Sequence, residues 1–141
     1  MTTIHTARAN AAGEPVRPRD HAEAAAEAIR ALNHATLRHG DPAGYQWPSD
    51  VDAVIGELQL IAERLPQALQ QAREWLADQL VAGRVGHDTP GRKAAFAAAT
   101  VVGYLNEAEF CAQALAGVLK KARNESSHLT GVSDQPAGGG S

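Results

Sequence analysis

A single cysteine, Cys111, is the whole thiol content of this chain of 141 residues. No disulfide can close within it, and a reducing, cytoplasmic setting is expected. Aromatic residues are scarce at 4%, which withholds the bulky anchors that usually dominate a core. No uninterrupted apolar run approaches the length of a membrane span. A formal charge of −3 speaks against an obligate nucleic-acid binder, since phosphate binding draws on a basic surface. The residues up to Asp20 contain no apolar segment of the kind found in a signal peptide.

Hydrophobic residues make up 44% of the chain and charged residues 21%, which fits one ordinary globular domain. The apolar set is rich in alanine, a strong helix former that buries little surface per residue. Such a composition favours long helices and association.

Three helical segments are predicted. The first covers about residues 20–39, opened by Asp20 and Glu23 and closed by Arg38-His39-Gly40. The second covers about 49–82, with Ser49 as cap and Gly83 as stop. Its apolar residues recur in steps of three and four: Val51, Val54, Ile55, Leu58, Ile61, Leu65, Leu69, Ala72, Trp75, Leu76, Leu80. Pro66 interrupts this run, and a proline inside a helix removes one hydrogen bond and kinks the rod. The third covers about 90–126, with Thr89 as cap, Pro90 at the first helical position, and Lys120, Lys121 and Arg123 complementing the dipole at its end. No strand is predicted. The fold class is therefore all-α, an antiparallel three-helix bundle over 19–127, with a flexible arm at 1–18 and a disordered tail at 128–141.

At about 1.5 Å per residue the first helix spans roughly 30 Å and the other two roughly 50 Å each. Short connections make neighbours antiparallel, so the first helix is expected beside residues 50–68 and to run out near Pro66. Past that bend, Leu69, Ala72, Trp75, Leu76, Leu80, Phe96, Val101 and Tyr104 form the predicted protein interface, met by a second copy or by another helical protein. Coverage by the N-terminal arm is the competing expectation, weakened by the arm's polarity.

No residue set points to catalysis, a metal or a cofactor. The six histidines include no HExxH, no Glu-x-x-His and no pair four apart. The Gly86–Lys93 stretch has Arg92-Lys93 where a P-loop needs Lys-Ser or Lys-Thr, and it follows a helix rather than a strand. Cys111 reads as a small core residue. Glu57, Glu63, Glu74, Glu107 and Glu109 read as a solvated helix face, and Tyr45 and Trp47 as residues packing under the second helix start. Lys120, Lys121 and Arg123 with Arg8, Arg17 and Arg19 supply the alternative function, a nucleic-acid accessory factor.

The stretches AEAAAEAIRALNHATL and YQWPSDVDAVIGELQLIAERLPQALQQAREWL, over roughly residues 20 to 82, resemble a group of short all-helical actinobacterial proteins. The resemblance rests on AIRALNHAT, the Trp-Pro-Ser-Asp-Val helix entry, and RLPQ-x-L before Trp-Leu. It implies a cytoplasmic bacterial protein and carries no activity, cofactor or catalytic residue. The function expected from the residues is a non-enzymatic interaction, adaptor or regulatory protein that associates through its helices.

Overall fold

Asp20 and Asp50 each accept a hydrogen bond from the backbone N–H three residues earlier, and these two bonds set where the first two helices begin. The computed structural model describes residues 13–37 and 44–132. It contains three helices: α1 (Pro18–Ala35), α2 (Pro48–Val81) and α3 (Ala94–Ser126). No strand occurs among the described residues. The predicted arm and tail, and the predicted stop at His39-Gly40, fall largely outside them. The described chain divides into two units, α1 with its flanks up to Gln46, and the residues from Trp47 onward.

The helix starts differ from the sequence expectation in an instructive way. Arg17 and Trp47 are the N-caps, Pro18 and Pro48 take the first helical position, and Asp20 and Asp50 sit at the third. Arg17 N–H donates to Asp20 Oδ2 at 2.9 Å, and Trp47 N–H to Asp50 Oδ2 at 2.8 Å. Proline pre-sets the backbone, and the carboxylate satisfies an otherwise orphaned amide beside the positive end of the dipole. The same X-Pro-x-Asp entry thus serves twice. Thr89-Pro90-Gly91-Arg92 lacks that aspartate and does not start a helix. Arg92 N–H donates to Thr89 O at 3.3 Å and Gly91 has φ +82°. Proline second and a positive-φ glycine third are the pattern of a type II turn. Helix α3 begins only after Lys93.

Helix α2 ends as the sequence predicts. Gly83, at φ +69°, donates to Leu80 O at 3.1 Å while Arg84 donates to Gln79 O at 3.0 Å, the paired bonds of a Schellman motif. Through Pro66 the helix is continuous over its 34 residues.

Helices α2 and α3 pack against each other as an antiparallel pair. Ser126 Oγ donates to Asp52 Oδ1 at 2.6 Å near one end, and Arg73 Nη2 donates to Glu109 Oε2 at 3.3 Å further along. Between them, Arg123 lies against Gly56, whose missing side chain leaves room for the guanidinium: a Cβ there would stand 2.9 Å from Arg123 Cζ. On α2 a heptad runs through the buried and half-buried positions, Asp52, Ile55, Gln59, Ala62, Pro66, Leu69, Arg73, Leu76 and Leu80, with Val54, Gly56, Leu58, Ala77 and Gln79 at its margins. On α3 the matching series is Ala98, Val102, Leu105, Glu109, Ala112, Ala116, Leu119 and Ser126. Steps of alternating three and four keep one stripe on the partner helix, as in a coiled coil. The buried apolar residues of this seam are small: Ala62, Ala98 and Ala112. Past α3, the chain brings Gly131 against the Trp47 ring, where a Cβ would meet Cε3 at 2.7 Å.

A seam of small residues tolerates no extra volume. Ala62 is 1% exposed, so Ala62→Leu should cost about 1–3 kcal/mol through overpacking. Gln71→Leu, at an exposed position of the same helix away from both stripes, should change stability by less than about 0.5 kcal/mol. Urea unfolding followed by helical circular dichroism checks both. The reverse order would contradict this placement of α2.

Candidate docking face

Helical geometry turns each residue about 100° from the last. One step before each seam residue therefore lies a second stripe on each helix, roughly a quarter turn away. On α2 this stripe reads Val51, Val54, Leu58, Ile61, Leu65, Ala68, Ala72, Trp75; on α3 it reads Ala97, Val101, Tyr104, Ala108, Cys111, Leu115, Val118, Ala122. Over 51–75 and 97–122 neither contains a charge or an amide; the next steps, Gln79 before Leu80 and Glu125 before Ser126, are polar and end the stripes. Because the helices are both right-handed and run in opposite directions, the same one-residue offset swings both stripes to the same side of the pair. The result is one continuous apolar face.

That face is open. Trp75 is 65% exposed and Tyr104 68%, and Ile61, Leu65, Val101, Leu115 and Val118 are exposed too. At about 1.5 Å rise and about 10 Å helix diameter, stripes of this length on two helices present roughly 750 Å² on one side. A typical monomer's largest apolar patch is only about 300–600 Å². One step after the seam residues, the opposite side is mixed. It carries Glu63, Gln67, Gln70, Glu74, Asn106, Gln113, Lys120 and Asn124 beside small residues and the exposed Leu60, Val81, Phe96 and Phe110. Gln59 donates to Glu63 at 2.8 Å and Gln70 to Glu74 at 2.8 Å along it.

The predicted interface residues divide among these surfaces. Ala72, Trp75, Val101 and Tyr104 lie on the apolar face. Leu69, Leu76 and Leu80 fall in the seam register and are half-buried, whereas Phe96 lies on the other side of the pair. The exposed apolar residues also run along the whole hairpin, with Val51, Ile61 and Leu65 before Pro66 and Trp75 after it, rather than beginning at the proline. Cys111, read from sequence as a core residue, is exposed, because its register puts it one residue before Ala112.

Glu109, expected on a solvated face, is instead a seam residue. Its ion pair with Arg73 leaves the two side chains 17% and 27% exposed. Arg73 Nε and Gln59 Oε1 are buried with no hydrogen-bond partner. The Arg73 guanidinium thus depends on Glu109 for compensation. On α1, Glu27, Arg30, Ala31, Asn33, His34 and Leu37 line an open hollow of about 550 Å³, in which Arg30 is paired with Glu27 at 3.3 Å. Among the described residues no three His, Cys, Asp or Glu side chains converge as metal ligands, and no helix is long and apolar enough to cross a membrane.

The paired charges give a test. Glu109→Ala leaves Arg73 half-buried without its carboxylate and should cost about 1–3 kcal/mol. The Arg73→Leu/Glu109→Leu double variant should recover most of that loss, since an apolar replacement removes both desolvation terms. A double variant no more stable than Glu109→Ala in urea melts would show that the seam does not hold this pair.

No protein-family profile matches the chain, and neither a curated protein nor a solved structure matches it.

Proposed function

We propose that the chain is a non-enzymatic, cytoplasmic interaction protein, an adaptor or regulatory partner that works by docking helices onto the apolar face of α2 and α3. The uncharged, exposed double stripe carries this reading. Fully burying a Leu, Val or Phe side chain is worth about 1.5–3 kcal/mol, so leaving this many apolar groups in water is a strong incentive to associate. The charged and amide residues of the opposite side break up its apolar groups, so the continuous stripe lies on one side only, which suits a specific docking role over indiscriminate aggregation. The alternative of nucleic-acid contact has less support. Of its expected contacts, Arg123 is laid against Gly56 and Arg17 lies 4.0 Å from Asp20, which leaves Arg19, Lys120 and Lys121 as the exposed cations it would draw on among the described residues.

A photo-crosslinking amino acid placed at Leu65 or Val118 in the native host should capture protein, whether this chain or another. The same probe at Gln67 or Gln113, on the opposite side, should capture little. Equal yields from both sides, or none from either, would refute the docking face.

A further inference from the structure

We infer that the occupant of this face is a second copy of the chain, paired about a two-fold axis that lies in the plane of the face and passes through its middle. The inference rests on the docking reading and names its partner. Three observations point to it. The first is area: roughly 750 Å² on each copy matches the figure of about 800 Å² per partner in a standard stable interface. The second is shape. A single helix of 18 residues, the length of α1, reaches about 27 Å, about half the length of α2. A second two-helix layer of equal length covers the whole face and yields a four-helix bundle. The third is the pattern of sizes along the stripes.

Antiparallel pairing of Asp52 with Ser126, Gly56 with Arg123 and Arg73 with Glu109 fixes which residues share a level. Ala68 and Ala72 of α2 then stand level with Cys111 and Ala108 of α3, so the middle of the face is a waist of small side chains. Bulkier groups flank it, with Ile61, Leu65, Leu115 and Val118 toward one end and Trp75, Tyr104 and Val101 toward the other. Helix layers approach closely where side chains are small, and an axis through the waist brings waist onto waist in both copies. Over 51–75 and 97–122 neither stripe carries a charge, so self-pairing about the waist sets no like charges against each other across that span. In an isologous contact every such feature counts twice.

The waist also gives the pairing a chemical reporter, since Cys111 is exposed in the single chain and covered when waist meets waist. Size-exclusion chromatography with light scattering on the purified full chain at tens of micromolar should return twice the single-chain mass. Ala68→Glu, which places a charge in the waist at an exposed helical position, should return the single-chain mass with unchanged helical circular dichroism. Gln67→Glu, its neighbour on the opposite side, should stay paired. Maleimide labelling of Cys111 should be slowed at least tenfold at tens of micromolar wild type relative to Ala68→Glu. A wild-type chain of single mass, or an Ala68→Glu chain that stays paired, overturns the inference. Should the purified chain be single while Leu65 and Val118 probes still capture another protein in cells, the second copy is excluded and the docking face stands.

Discussion

The seam between α2 and α3 is made of small and polar side chains, and that choice decides what the rest of the hairpin can do. Alanines at Ala62, Ala98 and Ala112 are its buried apolar residues. Around them, polar groups are matched across the helices, Asp52 to Ser126 and Arg73 to Glu109. A coiled-coil stripe of this kind aligns two helices well, because polar partners that meet only in one register penalise slippage. It buries little apolar surface in doing so. Among the described residues no large side chain is fully buried.

The larger apolar residues must then be somewhere else, and helical geometry says where. They occupy the positions immediately before the seam on both helices, and antiparallel packing gathers them on one side. Proteins are stable by only about 5–15 kcal/mol, so an occupant on that side would add a sizeable increment to the stability of a hairpin with an alanine seam, by mass action. The polar seam supplies register, and the apolar face is what an assembly would bury.

Much of the fold was legible in the sequence. The existence and order of the three helices followed from apolar periodicity, and the Gly83 stop from the need for a left-handed residue there. What misled was the mixing of two stripes. Val51, Leu58, Ile61 and Leu65 belong to one heptad, and Ile55, Leu69, Leu76 and Leu80 to another, yet in the chain they interleave as a single apolar run. The packed stripe also carries Asp52, Gln59 and Arg73, which a hydrophobicity reading assigns to solvent. Charge pairing across 36 residues of sequence leaves no local trace, so Glu109 looked like any surface acid. Cys111 was misplaced by the same ambiguity, one position from the buried Ala112. The repeated X-Pro-x-Asp entry at Arg17 and Trp47 was a readable signal. It also explains why Thr89-Pro90, with no aspartate to follow, makes a turn.

The most direct test of which side faces inward is a methyl NOE experiment on a mixture of isotope-labelled and unlabelled chains, which separates contacts within a chain from contacts between chains. Within a chain, the Ala62 methyl should give NOEs to Ala116 and Leu119 of α3, while Leu65 and Val118 methyls give theirs between chains. Intrachain NOEs joining the Ile61 and Leu65 side chains to the core of α3, with none from Ala62, would turn the hairpin inside out and contradict the account.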